Sequence, residues 1–183
     1  MSKPKCPVCE STVKEFGEDP RGGDVDYYNC PNCSAFFIPQ GTVAEVGRMS
    51  VEMRAALSRR IWLRRFDKGY FFITPEILRQ IPLELLCGPV EQLENLITLW
   101  GEEQGDHVGT RLNWVYEDLR AAIGAITEAD VRYVVQEAAD RGLLQGQTHG
   151  HISYAGVLTF KGWEAYERLQ QGLFLRSVAV GLH

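Results

Sequence analysis

A mainly α chain with small β elements is predicted by three features. Two Cys-x-x-Cys pairs lie within the first 33 residues, a stretch without Gly or Pro follows Ser50, and in the second half three helical periodicities precede two short β-rich runs. At 183 residues the chain is long enough for one medium domain or two small ones. Hydrophobic residues at 45% and charged residues at 23% exclude a largely disordered or collagen-like chain. No apolar run is long enough to cross a bilayer, and the first residues lack the apolar stretch of a signal peptide. The expected compartment is therefore the cytoplasm, with no membrane partner. In that reducing setting two close cysteine pairs and the single Cys87 point to metal ligation ahead of disulfides.

Residues 1–47 form the first predicted domain. Cys6-Pro7-Val8-Cys9 and Cys30-Pro31-Asn32-Cys33 flank twenty residues, the spacing of a tetrathiolate zinc site. The prolines fix each turn without removing a needed donor. Tyr27-Tyr28-Asn29 and Ala35-Phe36-Phe37-Ile38 suit the two strands of a rubredoxin-like zinc ribbon hairpin, with the Gly-rich segment 17–24 as its tip. So short a block buries too little surface to fold unaided, so Cys6, Cys9, Cys30 and Cys33 are expected to hold a structural zinc ion. A thioredoxin-type redox motif is the competing reading, but it needs one pair in a βαβ context rather than two. Cys87 reads as a small buried apolar residue near a helix end.

Residues 48–89 carry eight Lys/Arg against four Asp/Glu, whereas 1–47 carry four against seven and 90–183 seven against thirteen. A protein of net charge −5 is a poor general polyanion binder, so any nucleic-acid contact must be local. With Ser50 as N-cap and Gly69 as terminator, one helix is predicted over 51–68. Met53, Leu57 and Ile61 line one stripe and Ala55, Trp62, Leu63 and Phe66 the other side. Arg54, Arg60, Arg64, Arg65 and Lys68 flank the first stripe as a candidate phosphate-facing patch. Alternatively they solvate the helix or pair with the acidic carboxy-terminal block. Thr74-Pro75-Glu76 starts a second helix, and Gly88-Pro89 marks the boundary to the remainder.

Residues 90–172 are predicted to contain a helix over 90–104, a second over 116–123 broken by Gly124, and a third opened by Thr127 and stopped by Gly142. Strands at 143–145 and 154–158 surround a tip at 147–153, and Thr159 caps a last helix. Three helices, a strand pair and a final helix are the order of a winged helix-turn-helix domain. In such domains the third helix often reads DNA. Here its charged residues are Glu128, Asp130, Glu137 and Asp140 against Arg132 and Arg141, and the tip offers His149 and His151 but no Lys or Arg. Phosphate neutralisation dominates nucleic-acid affinity, so a protein contact surface is the favoured expectation.

The two cysteine pairs, Pro89-Val90-Glu91-Gln92-Leu93-Glu94-Asn95-Leu96-Ile97, Ala122-Ile123-Gly124-Ala125 and Leu158-Thr159-Phe160-Lys161-Gly162-Trp163-Glu164-Ala165-Tyr166-Glu167 carry a resemblance over residues 1–172. The chain resembles the amino-terminal zinc-ribbon and winged-helix module of uncharacterised bacterial proteins. Those proteins carry a Toll/interleukin-receptor-like or nucleoside-deoxyribosyltransferase-like carboxy-terminal domain, in some cases linked to phage defence. The resemblance implies a recognition or adaptor module that serves an effector. No such effector domain follows in this sequence, so the enzymatic part does not transfer. With no nucleophile elbow, P-loop or metal-hydrolase signature, the expectation is a non-enzyme that binds a protein partner or a separately encoded effector. The alternative is a DNA- or RNA-binding regulator using the arginine-rich helix and the winged helix. Seven of the twelve residues 172–183 are apolar and none is Pro, so this tail is expected to be a strand in need of pairing. It would either dock on its own domain or recruit a second chain, promoting self-association or binding to a separately encoded effector.

Overall fold

The computed structural model describes residues 4–19, 22–65, 70–105, 107 and 109–180, with side chains described up to residue 172. Its elements, in chain order, are strands β1 (Glu15–Glu18), β2 (Val25–Cys30) and β3 (Ser34–Pro39), helices α1 (Gln40–Val46) and α2 (Val51–Leu63), strand β4 (Phe71–Phe72) and helix α3 (Pro75–Arg79). A 3-10 turn at Leu83–Leu85 leads to α4 (Pro89–Gln104), β5 (Leu112–Val115), α5 (Tyr116–Ile123), α6 (Glu128–Asp140), β6 (Leu144–His149), β7 (Ser153–Leu158) and α7 (Phe160–Val180). The chain is thus mixed α and β rather than mainly α, because strands that the local sequence does not announce complete two sheets. No helix among the described residues is long and apolar enough to cross a membrane. The chain divides into two compact units, Met1–Cys87 with Glu117–Glu128, and Gly88–Tyr116 with Ala129–His183.

In the first unit the expected hairpin β2–β3 is antiparallel from Val25↔Pro39 to Cys30↔Ser34. Its tip is Pro31-Asn32-Cys33 and not the segment 17–24, of which Gly17 and Glu18 belong to β1 and pair with β2. The hairpin is the centre of a four-stranded sheet in the order β1-β2-β3-β4. Two of these strands escape the sequence pattern. Glu15-Phe16-Gly17-Glu18 is acidic and carries a glycine, and Phe71-Phe72 is too short for any period, so pairing with a neighbour and not propensity makes each a strand. The helix expected over 51–68 begins as predicted, with Ser50 Oγ accepting from the Met53 N–H, but ends at Leu63. The Arg64 and Arg65 N–H groups close its last turn on the Ile61 and Trp62 carbonyls. Thr74 Oγ1 likewise caps α3 by accepting from the Ile77 N–H. The core of the unit joins Cys6, Val8, Cys30, Cys33, Phe36 and Ile38 to Leu57 and Ile61 of α2 and to Ile73 and Leu78.

Helix α5 ends at Gly124, whose φ of 77° is left-handed, and the Cys87 N–H donates to the Gly124 carbonyl at 3.1 Å. A Cβ at Gly124 would lie 2.5 Å from Cys87 Sγ. Gly124→Ala should therefore destabilise the unit by about 2–4 kcal/mol, the sum of a left-handed non-glycine backbone and an overpacked contact. Denaturant melts check this, and Cys87→Ala should recover part of the loss by relieving the contact alone.

In the second unit, β5, β7 and β6 form an antiparallel sheet in that order. The hairpin β6–β7 is longer than expected and runs to His149↔Ser153, which leaves Gly150, His151 and Ile152 as the tip. Trp100 on α4 is fully buried, donates to the Gly156 carbonyl at 3.4 Å and packs against Trp114 and Tyr154. Gln104 is 1% exposed. It satisfies both ends of its amide, donating to the Thr110 carbonyl at 2.6 Å and accepting from the Leu158 N–H at 3.0 Å. Thr159 caps α7 by accepting from the Gly162 N–H. Contrary to the strand expected for the tail, α7 continues as helix to Val180. Once nucleated, a helix gains one backbone hydrogen bond per added residue, which offsets the modest penalty of β-branched side chains. The side chains on which tail self-association would depend, and residues 181–183, lie outside the described residues.

Candidate metal centre

Each Cys-x-x-Cys pair sits in a turn whose next residue takes a left-handed backbone, Glu10 at φ 66° and Ser34 at φ 84°. Non-glycine residues adopt that conformation at roughly 1–2 kcal/mol, so its recurrence at equivalent positions marks two copies of one turn. In the first, the Cys6 N–H donates to the Ser11 carbonyl and the Glu10 N–H to the Cys6 carbonyl, both at 2.9 Å. In the second, the Cys33 N–H points at Cys30 Sγ, 3.4 Å away. The two turns bring the four sulfurs of Cys6, Cys9, Cys30 and Cys33 within 4.8 Å of one another, with none in a disulfide. Cys6 and Cys33 are 3.9 Å apart and Cys9 and Cys30 3.4 Å. Cys6, Cys30 and Cys33 are buried and Cys9 is half-buried.

Burial, and after it the neighbouring thiols, pushes Cys33 well above the ordinary thiol value, while hydrogen bonding from Cys30 and then Cys33 draws Cys9 down. A shared proton network can keep one thiolate in such a cluster, but four clustered thiolates, three of them buried, need a cation. The donor set fits a soft or borderline metal ion that takes four sulfurs.

Around the sulfurs stands a set of polar side chains that the sequence reading did not single out. Ser58 Oγ on α2 lies 3.0 Å from Cys33 Sγ and accepts from Asn32 Nδ2 at 3.3 Å. Ser11 Oγ lies 3.2 Å from Cys9 Sγ. Asn32, within the second pair and 1% exposed, accepts from the Ala121 N–H of α5 at 2.8 Å. Arg120 of α5 donates to the Cys9 carbonyl at 3.1 Å. Arg59 of α2, only 7% exposed, donates to the Ala121 carbonyl at 3.0 Å and also to that of Ala122. The carboxy-terminal part of α5 is thereby clasped by both cysteine turns and by α2. Second-shell partners of this kind orient the ligands and tune a bound metal. One weak signal was available: an amide in Cys-Pro-Asn-Cys where the first pair has valine. Arg59 lies in a run of arginines and nothing local separates it from its neighbours.

The structure distributes the predicted arginines among different neighbours. Arg54 forms an ion pair with Glu10 and holds its carboxyl below the usual carboxylate range. Arg60 donates to the Gln80 carbonyl at 3.3 Å. Arg65 folds back over the Trp62 ring, 3.2 Å from its centroid. Arg64 is exposed just beyond the helix, and Lys68 lies outside the described residues. Cys87 is not one of the four converging cysteines. Searches of family models, curated proteins and solved structures find no match to this chain.

Proposed function

We propose that the chain is a non-catalytic recognition module that binds a protein partner, built from a zinc ribbon and a winged helix. Zinc is favoured at Cys6, Cys9, Cys30 and Cys33 because sulfurs about 2.3 Å from a tetrahedral ion stand about 3.8 Å apart, close to the separations here. When bound it would supply folding free energy, and four protein thiolates would leave no position for a reactive water. The winged-helix reading is supported by the β5-β7-β6 order, with α4 ahead of β5 and with α5 and α6 ahead of the β6–β7 hairpin.

The observation that carries the partner class is the surface of α6. Its Tyr133 is 62% exposed, and Arg141 is held by Glu137 at 2.7 Å. In the hairpin that follows in the chain, the tip exposes Ile152 at 67% and bears no Lys or Arg. Between them these exposed groups offer ring, aliphatic and carboxylate chemistry to a protein and little to phosphate. In line with the resemblance, the partner is taken to be a separately encoded effector.

The test is fluorescence anisotropy of the full chain with a generic 20-base-pair duplex at 50 mM salt. The expected result is a dissociation constant weaker than about 100 µM, the weak end of non-specific binding. Micromolar binding with a log–log salt slope of about −4, lost in Arg60→Glu/Arg64→Glu, would replace this reading by the nucleic-acid regulator.

A further inference from the structure

Strand register places two aromatic rows on opposite faces of the first unit's sheet. Phe16, Tyr28, Phe36 and Phe71 share one row, and Tyr28, Phe36 and Phe71 belong to the core. Gly17, Tyr27, Phe37 and Phe72 form the other, on the face away from that core. There Tyr27 and Phe37 rings are 5.2 Å apart, and Tyr70 stands edge-on to both at 5.8 and 5.1 Å. Tyr70 is 65% exposed and Phe72 39%. An open cleft over this row is lined by Tyr27, Phe37, Tyr70, Glu15, Glu18 and Asp19, with Gly17 between them. A Cβ at Gly17 would meet nothing within 4 Å, so the space above β1 is clear. Among the described residues the lining contains three carboxylates and no Lys or Arg.

The chemistry of this cleft selects for charge. Aromatic faces carry the negative lobe of the ring quadrupole and attract ammonium or guanidinium groups. Glu15 and Glu18 add full negative charge at its rim, which repels the phosphates of a stacked nucleic acid. Among the described residues only the four cysteines converge as metal ligands, so the carboxylates do not form a cation cage of their own. The rim strand β1 is an edge of the sheet, where an extended segment can lie alongside.

We propose that this cleft binds a lysine or arginine side chain from a basic segment of a partner protein, the cation resting on Tyr27 and Tyr70 and paired with Glu15 and Glu18. The proposal rests on the reading of the chain as a recognition module and names its partner's chemistry. The experiment titrates tetralysine into the zinc-loaded full chain and follows the aromatic NMR resonances of Tyr27 and Tyr70, with tetraglutamate as the control. Tetralysine is expected to shift both tyrosines and tetraglutamate neither. Tyr70→Leu, which keeps apolar area but removes the ring, should weaken binding about two- to fivefold. Glu15→Gln/Glu18→Gln should weaken it roughly tenfold at low salt. Unchanged zinc content establishes that the variants are folded. Absence of tyrosine shifts, equal shifts with tetraglutamate, or an affinity indifferent to Tyr70→Leu overturns the cation site. None of these results implies duplex binding, which alone would remove the underlying module reading.

Discussion

Replacing Cys33 by serine is expected to abolish the metal binding proposed for the four cysteines and unfold the first unit, whereas Cys87→Ser leaves both unchanged. Cys33 is fully buried, faces Ser58 Oγ and shares its core with Phe36, Leu57 and Ile61. Structural zinc binding supplies about 10–16 kcal/mol in small zinc-folded peptides, as much as the whole stability of a typical domain. A serine cannot replace a thiolate ligand, so the ion and its folding energy leave together. Elemental analysis should give about one zinc per wild-type chain and none for Cys33→Ser. Chelation should abolish the unit's thermal transition. A Cys33→Ser chain that melts like the wild type and ignores chelators would remove the metal from the account of this fold.

Arg59→Met should destabilise the same unit by about 2–4 kcal/mol, a loss of roughly 10–25 °C in melting temperature for a body of this size. The guanidinium is almost fully buried and holds the Ala121 and Ala122 carbonyls at the end of α5. Methionine fills much of the volume but leaves those acceptors without their charged donor, and buried unsatisfied carbonyls are the expensive part. Arg59→Lys should recover part of the loss, since a single ammonium lacks the forked reach of the guanidinium. As a control, the exposed Arg79 paired with Glu76 should cost no more than about 0.5 kcal/mol on replacement by alanine. Equal effects at Arg59 and Arg79 in denaturant melts would mean that α5 is not held in this way.

Much of the four-sulfur group was legible without coordinates. Ligation needs one residue type at two short spacings, and Cys6, Cys9, Cys30 and Cys33 converge as those spacings imply. The helix caps were legible for a similar reason: Ser50, Thr74 and Thr159 each satisfy a backbone N–H three residues ahead, which a short window contains. The support of the centre was not. Asn32 meets Ala121, and Arg59 meets Ala121 and Ala122, across 89, 62 and 63 residues of chain.

Residue type and short spacing by themselves determined the cysteine cluster, the capped helix starts and the β2–β3 and β6–β7 hairpins. The tertiary structure decided that Glu15–Glu18 and Phe71–Phe72 become strands, that Arg59 alone in its run is buried to this degree, and that Tyr27 and Phe37 line an outward cleft while Tyr28 and Phe36 fill the core. The physical reason is one of range. Caps, turns and metal ligands at fixed spacings are satisfied within a few residues of backbone. Strand pairing, burial of a charge and the choice between two aromatic faces depend on which distant groups are left to be hydrogen-bonded or covered once the chain has packed.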